Sequence, residues 1–245
     1  MLLLLPPSET KRDGGVDASA LDLAALSFAS LTPHRKLVIA GLKGLSRSVG
    51  GSMEALSLGP TQRGEVDRNR AVSRSPVMPV LERYTGVLFD ALGAGSLTAP
   101  SREFAGEHLV VHSALFGLLG GNDLIPAYRL SHDSRLPGLS LRRHWRDTIT
   151  ATLALEPGLV LDLRSDSYAA LGPAPSSVVP VRVVSQDSRG RRVALSHANK
   201  AGKGSFIRAV VEAGVDHASV DSLLQWAGTA GIRLERAEAG LDLLA

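Results

Sequence analysis

The chain has 245 residues, of which 44% are hydrophobic, so it is long enough to bury a large core in one domain or two. It contains no cysteine, which excludes a disulfide scaffold, thiolate catalysis and every cysteine-ligated metal site. The formal net charge is +3, and aromatic residues make up only 4%, so extensive stacking on single-stranded bases is not expected.

The first residues, MLLLLPPSE, form a short apolar run. A membrane span needs roughly 18 apolar residues, and the run lacks the basic residues that open a signal peptide. We therefore expect a cytoplasmic protein that does not enter a membrane. Because Pro6 and Pro7 can continue neither a helix nor a central strand, the run is predicted to form a buried strand that ends before them.

The next part of the chain is predicted to be mainly helical. Residues 10–20 carry adjacent glycines among small and charged residues and should form a loop. Thr32 is expected to cap a helix whose first residue is Pro33. Two short helices should then meet at residues 58–60, and the segment VMPVLERYTGVLFDAL should form a short strand and a helix.

Helices and strands alternate irregularly in the central part. Ser101 is predicted to cap a helix that passes into the strand LVVHS, and another helix is expected after that strand. The segment IPAYRLSH should be extended, and LRRHWRDTITATLAL should be helical. The run GLVLDLRS is predicted to be a buried strand, followed by a short helix that ends at Gly172.

The last part begins with a predicted hairpin. Two extended runs within residues 177–197 flank a polar turn that contains Arg189 and Arg191. Helices are expected over about 198–213 and 217–229, followed by the strand IRLERAE. Neither a linker nor an internal repeat interrupts this order, so the whole chain is predicted to be one mixed α/β or α+β domain, residues 1–245.

The segment SHANKAGKGSFIR lies between the hairpin and a helix and contains GKGS. A phosphate-binding P-loop needs a glycine five residues before Gly202, where this chain has His197, so a nucleotide P-loop is rejected. Lys200, Lys203 and Arg208 still stand among small residues at the start of a predicted helix, which favours binding of a phosphodiester. The alternative is an ordinary solvated basic helix start.

The corner at residues 58–60 resembles the turn of a helix-hairpin-helix, in which the second helix meets a DNA phosphate. Gly59 supplies one glycine of that turn, and we expect it to be needed for a positive φ or for close approach of the phosphate. Thr61 and Gln62 are candidate phosphate contacts. Ser57 stands where the first glycine is usual, so an ordinary helix corner remains an alternative.

Other chemical motifs are weaker. Ser8 and Lys11 have the S-x-x-K spacing of acyl-transfer serine enzymes, but neither S-D-N nor K-T-G is present. His108 and His112 are four residues apart without an H-E-x-x-H motif, so they are interpreted as core or surface histidines. Carboxylates that could gather at strand ends, as in α/β active sites, are Glu9, Asp123, Asp162 and Asp166.

Several stretches together resemble the peroxide stress protein YaaA family almost from end to end. They are LLLLPPSETK, LSLGPTQRGEVDRN, ERYTGVLFDAL, HSALFGLLGGNDLIPAYRL, HWRDTITATL, VLDLRSDSYAAL and SHANKAGKGSFIRAVVEAG. The resemblance implies a compact single α/β domain of the fold called cantaloupe, a helix-hairpin-helix-like element and a positively charged cleft. It also implies DNA binding and a role in limiting free iron during peroxide stress.

The resemblance also implies which side chains meet in the cleft. The basic ones are Lys11, Arg129, Arg164, Lys200, Lys203 and Arg208, and the polar ones are Glu9, Tyr84, Asp166, His197 and Asn199. The chain departs from the family at Gly120 and Gly121, where Arg-Pro is frequent, and at Ala198, where an aromatic residue is common. A basic cleft contact is therefore expected to be missing at Gly120 and Gly121.

The first hypothesis is a cytoplasmic protein of the peroxide stress response that binds double-stranded DNA, with no cofactor, metal site or stable protein partner implied. The second is an enzyme that acts on a small phosphorylated or nucleotide-like substrate in the same cleft, with Asp166, Tyr84 and Lys200 as polar participants. An iron or haem binder is disfavoured by the missing cysteines and scattered histidines.

Overall fold

The computed structural model describes residues 1–186, 192–194 and 197–244. The strands in these ranges are β1 (Leu2–Leu5), β2 (Met78–Pro79), β3 (Leu109–Ser113), β4 (Gly117–Gly120), β5 (Leu124–Ile125), β6 (Val160–Asp162), β7 (Val179–Gln186), β8 (Arg192–Ala194), β9 (Leu234–Ala237) and β10 (Gly240–Leu244). The helices are α1 (Thr32–Leu45), α2 (Val49–Ala55), α3 (Gly64–Arg70), α4 (Val80–Arg83), α5 (Val87–Leu92), α6 (Ala99–His108), α7 (Leu141–Ala154), α8 (Asp166–Leu171), α9 (His197–Ala213) and α10 (Val220–Thr229).

One mostly parallel sheet organises the fold, which confirms the predicted mixed α/β class. Its strand order is β4-β3-β1-β6-β7-β10-β9, with β8 paired to β7, and β2 and β5 form a separate two-stranded sheet. The pairs β1–β3, β1–β6, β6–β7 and β7–β10 are parallel. Strands β3 and β4 are buried along their whole length, because helices cover both faces of this part of the sheet.

The path of the chain creates a crevice beside β1. From β1 the chain reaches β3 on one side, and it later crosses to β6 on the other side of β1. The carboxyl ends of β1 and β6 therefore flank a point where the direction of strand order reverses. Open α/β sheets bind their ligands outside the strand ends at such points.

Most predicted elements are confirmed, including β1, α1, α7, β6, α9, α10 and β9. Gly172 follows α8 as predicted. The predicted hairpin is the antiparallel pair β7–β8, and its turn, with Arg189 and Arg191, lies outside the described residues. None of the described helices combines the length and apolar character that a bilayer crossing requires.

The helix expected after β3 is wrong, because the chain turns back as β4, antiparallel to β3. Ser113 Oγ accepts hydrogen bonds of 3.1 Å from the N–H groups of both Leu115 and Phe116, which closes the turn. Gly117 then takes φ 68°, and a Cβ there would lie 2.8 Å from the Trp145 ring. A helix through Gly117 would lose both the turn closed by Ser113 and the close packing of Gly117 on Trp145.

Two predicted caps are displaced. Thr32 is the first residue of α1 rather than its cap, and Leu31 occupies the cap position without a side-chain hydrogen bond. At α6 the cap is Thr98, whose hydroxyl accepts the N–H of Ser101 at 3.4 Å. A Pro at the second helical position removes one orphan N–H in each helix, and the Thr98 hydroxyl satisfies another in α6.

The corner between α2 and α3 does not confirm a helix-hairpin-helix element. Gly59 has φ −75° and ψ 163°, which is extended backbone that any residue adopts, so the expected positive φ is wrong. A Cβ at Gly59 would meet only the Gln62 Oε1 at 3.7 Å, an ordinary contact. Ser57 instead takes the positive φ of the turn, at 51°.

Replacing Gly59 by valine should therefore change the free energy of unfolding by no more than about 0.5 kcal/mol. Replacing Ser57 by glycine should stabilise the protein by up to about 1 kcal/mol, because the left-handed region is unfavourable for a residue with a Cβ. Urea unfolding of both variants measures this. A Gly59→Val variant that loses clearly more than about 0.5 kcal/mol would mean that the turn requires glycine at 59 after all.

Candidate functional site

A cleft of about 580 Å³ opens at the carboxyl ends of β1 and β6. Its walls come from five parts of the chain that are distant in sequence. They are residues 6–10 after β1, residues 85–89 at the start of α5, residues 131–132, the pair Ser165 and Tyr168, and a last group made up of Asn199, Lys200 and Lys203. The cleft therefore occupies the ligand-binding position expected for this sheet.

Three hydroxyl groups meet on one wall of the cleft. The Ser8 Oγ lies 3.2 Å from the Thr10 Oγ1, and the Thr85 Oγ1 donates to the Thr10 Oγ1 at 2.9 Å. Gly86 follows with φ 96°, and a Cβ there would lie 3.3 Å from the Ser8 Oγ. A side chain at Gly86 would therefore crowd these hydroxyls.

Helices α5 and α9 pack side by side and bring their first turns to the cleft. A Cβ on Gly204 would lie 2.3 Å from the carbonyl oxygen of Leu88. One turn later, the Arg208 guanidinium donates to the carbonyl of Leu92 at 3.0 Å. The two helices thus run in the same direction, and Lys200, one turn before Gly204, lies at the end where α5 begins.

The two lysines of α9 differ in their surroundings. Lys200 is exposed and makes no hydrogen bond or ion pair within the part of the chain that the structure describes. Lys203 is only 7% exposed, and its ammonium donates to the carbonyls of Leu163 at 2.8 Å and Arg164 at 3.2 Å. Burial lowers the pKa of Lys203, while the carboxylate of Asp162 opposes that shift. Lys203 therefore ties α9 to the loop after β6.

Arg164 lies beneath the cleft. Its side chain is buried and pairs with Asp162 through two hydrogen bonds of 2.9 and 2.7 Å. It also donates to the His112 Nδ1 at 2.8 Å and to the carbonyl of Gly172 at 2.7 Å. Burial, followed by the charge of the Arg164 guanidinium, lowers the pKa of His112 well below its usual value, so its Nδ1 is free to accept this bond.

Arg129 and Glu9 form an ion pair at the edge of the cleft, with 2.7 Å between the guanidinium and the carboxylate. The Asn69 side chain holds the backbone of Arg129, donating to its carbonyl at 2.9 Å and accepting its N–H at 2.8 Å. Glu9 lines the cleft. Its negative charge is therefore compensated before any ligand binds.

Lys11 supports the cleft wall from behind. It is 8% exposed, and its ammonium donates to the carbonyls of Ser8 at 2.9 Å and Glu9 at 3.2 Å. The same nitrogen lies 4.2 Å from the ring centre of Tyr128 and 5.2 Å from that of Tyr84. Lys11 thus fixes the backbone that presents the hydroxyl groups and the carboxylate of residues 8–10.

A chain of buried hydroxyls accompanies Lys11. The Tyr84 hydroxyl lies 2.7 Å from that of Tyr128, which lies 2.6 Å from the Ser113 Oγ. Burial raises the pKa of Tyr84 well above its usual value and that of Tyr128 to about 12. Burial, followed by the charge of Arg129, lowers the pKa of Lys11 to about 7. The pKa of this amine therefore lies much nearer neutrality than that of an ordinary lysine.

The structure brings together some of the predicted site residues and not others. Glu9, Asn199, Lys200 and Lys203 line the cleft. Lys11, Tyr84, Arg129 and Arg164 lie behind its walls or at its edge. Arg208 bonds to the end of α5, Asp166 is the exposed first residue of α8, and Gly59, Thr61 and Gln62 lie at the α2–α3 corner. His197 begins α9, and its side chain is outside the described part of the molecule.

Several lining residues had no local signal in the sequence. Thr10 and Thr85 each lie next to a predicted site residue, but only the fold shows that their hydroxyls meet. His132 and Tyr168 pack edge to face, with 5.3 Å between ring centres, and also line the cleft. Among the described residues, no group of three or more His, Asp or Glu side chains is placed to hold a metal ion.

The family departures at Gly120 and Gly121 lie away from the cleft. A Cβ at Gly120 would come within 2.6 Å of the Ser27 Oγ, and one at Gly121 within 2.8 Å of the carbonyl oxygen of Ala105. Both glycines are buried in or just after β4. An arginine at either position would meet packed chain before it reached the lining residues.

Comparison with known proteins gives a consistent result. The family model of the peroxide stress protein YaaA matches residues 1–235. A UPF0246 protein of Corynebacterium glutamicum is 39% identical over 240 residues, covering 96% of this chain and 95% of the relative. A UPF0246 protein of Corynebacterium efficiens is 39% identical and covers 100% of this chain and 98% of its own length. One of Streptomyces coelicolor is 40% identical and covers 87% of this chain and 84% of its own length. With a family model and near-complete relatives in agreement, the chain belongs to the peroxide stress protein YaaA family.

Proposed function

We propose that this protein binds the phosphodiester backbone of double-stranded DNA with little sequence selectivity, in the cytoplasm, as part of the peroxide stress response. Bound protein would shield DNA from iron-driven radicals or help to limit free iron. The observation that carries the proposal is the mouth of the cleft. There the exposed ammonium of Lys200 stands at the end where α5 and α9 begin, and Glu9, the carboxylate among the described lining residues, is already paired with Arg129.

The mode of binding follows from which charges are available. Lys200 is exposed, whereas Arg164 and Lys203 are buried and used within the fold. Backbone contacts through exposed lysines carry no base information, so unrelated duplexes should bind alike. Because few charges are available at the cleft, the affinity for duplex DNA should depend only modestly on salt concentration.

A second candidate is an enzyme that acts on a small phosphorylated or nucleotide-like substrate. The size of the cleft favours it, because about 580 Å³ lies within the roughly 300–1,000 Å³ of small-molecule pockets. Of the participants considered from the sequence, Lys200 lines the cleft, Tyr84 is buried behind it, and Asp166 is exposed at the start of α8.

The association constant for duplex DNA, K, should fall as the salt concentration rises. Replacing Lys200 by alanine should lower the magnitude of the slope of log K against log salt by about 0.9, which corresponds to the loss of one phosphate contact. The protein should keep its stability, because exposed charge changes usually lie within about 0.5 kcal/mol. Mobility shifts of unrelated random duplexes at several salt concentrations measure the slope. Lys203→Ala is unsuited to this test because its ammonium donates to two carbonyls within the fold.

Lys36→Ala is the matched control, since Lys36 is an exposed lysine of α1. Equal changes of slope in both variants would mean diffuse attraction to a basic protein and no dedicated site. Absence of duplex binding at about 50 mM salt would reject the proposed function.

A further inference from the structure

The cleft has two chemically different walls. One carries the hydroxyls of Ser8, Thr10 and Thr85, joined by contacts of 3.2 and 2.9 Å. Hydroxyls can donate to phosphate oxygens without adding charge. Because α5 and α9 run in the same direction from this end, the first turn of α9, which carries Lys200, lies beside the start of α5, which follows Thr85.

The other wall is aromatic. His132 and Tyr168 line the cleft with their rings edge to face, 5.3 Å apart. His132 is half-buried, whereas Tyr168 is only 8% exposed and packs against His112, whose ring centre is 5.9 Å away. The His132 ring, fixed by Tyr168 in this way, offers a surface for a planar base, and base–aromatic contact contributes about 1–3 kcal/mol per base.

The charges suit a single phosphate better than a row of them. Glu9 is compensated by Arg129 at 2.7 Å, and Lys203 donates to backbone carbonyls. Lys200 is thus the exposed cation among the described lining residues. A base-paired duplex could touch only the mouth of a cleft of about 580 Å³, whereas one nucleotide fits within it.

We propose that the cleft binds one nucleoside monophosphate unit, with its phosphate between Lys200 and the Ser8, Thr10 and Thr85 hydroxyls and its base against the His132 ring that Tyr168 supports. The unit is either a free nucleotide or an unpaired nucleotide of a DNA strand. This inference rests on the proposed anion-binding role of the cleft and adds the class of ligand.

Calorimetric titration with AMP, adenosine and ribose 5-phosphate tests the two walls separately. Lys200→Ala should weaken the binding of AMP and of ribose 5-phosphate about tenfold, as expected for loss of one charge-assisted hydrogen bond. It should leave the binding of adenosine unchanged. His132→Ala should weaken the binding of AMP and of adenosine about tenfold and leave the binding of ribose 5-phosphate unchanged. Lys36→Ala should behave as the unaltered protein. Lack of AMP binding at millimolar concentration, or failure of this crossed pattern, would overturn the inference.

A labelled single-stranded oligonucleotide distinguishes the two sources. Its displacement by AMP supports an unpaired nucleotide of a strand, and AMP binding without displacement supports the free nucleotide. Random duplex is titrated with the same samples. If duplex binds and AMP does not, this inference alone is rejected. If AMP binds and duplex does not, the proposed function is rejected and the nucleotide site remains.

Discussion

Replacing Lys11 by methionine should remove most of a rise in stability between pH 7 and pH 10. In the folded protein the pKa of Lys11 is lowered to about 7 by burial and by the charge of Arg129, whereas the unfolded chain has the ordinary lysine value of 10.5. Between these values the unfolded chain binds a proton that the folded protein does not. The free energy of unfolding should therefore rise by about 1.4 kcal/mol per pH unit across this window.

Other groups set the limits of that window. Below pH 7 Lys11 is protonated in both states, so its contribution is constant and at its least favourable. The pKa values of His112, His144 and His217 are lowered, so these side chains are already neutral above pH 7. Above pH 10 the raised pKa of Tyr84 acts in the opposite direction, because the unfolded chain loses that proton first.

Urea unfolding of the unaltered protein and Lys11→Met at pH 7, 8, 9 and 10 measures the effect. The variant should show a smaller rise, part of which remains because burial also lowers the pKa of Lys203, and its gain relative to the unaltered protein should be largest at pH 7. Lys36→Met, which changes an exposed lysine, should keep the full rise. A Lys11→Met variant with the same slope as the unaltered protein would contradict the burial of an ionisable amine.

The order of helices and strands was largely readable from the sequence because it depends on local patterns. The buried leucines of β1, the amphipathic α7 and the glycine after α8 each follow from a few neighbouring residues. The strand β4 was missed because its run ALFGLLG is apolar throughout, and such a run does not distinguish a buried strand from a helix.

The direction of basic side chains was beyond the reach of local patterns. Lys200 and Lys203 are three residues apart on one helix, yet one is exposed and the other donates to two carbonyls of the loop after β6. Gly204 looked like part of an anion-binding turn, but its close approach is to Leu88 of α5. Positive φ in the α2–α3 corner fell on Ser57 rather than on Gly59. Only three-dimensional packing decides these cases.

Replacing Arg164 by methionine should lower the free energy of unfolding by at least about 3–5 kcal/mol, because it leaves the largely buried carboxylate of Asp162 without its guanidinium partner. The Asp162 side chain is 10% exposed and that of Arg164 is 0% exposed. Loss of the guanidinium also leaves the His112 Nδ1 and the carbonyl of Gly172 without a donor. Each such group adds about 1–3 kcal/mol to the cost.

A double-mutant cycle separates the ion pair from the two other bonds. Asp162→Leu combined with Arg164→Met should recover part of the loss, since replacing both members of a buried pair by apolar residues is often nearly neutral. The remaining deficit then reports on His112, on Gly172 and on the Arg164 N–H, which loses its acceptor on Asp162. The matched control is Arg236→Met, which breaks the exposed pair with Asp221 and should cost no more than about 1 kcal/mol.

Because the guanidinium is enclosed, folded Arg164→Met protein should keep the salt dependence of duplex binding, in contrast to Lys200→Ala. Unfolding by urea, followed by mobility shifts under conditions where the variant is folded, tests both halves of this expectation. A variant that keeps its stability but loses duplex affinity would instead mean that Arg164 leaves Asp162 and contacts the phosphate itself.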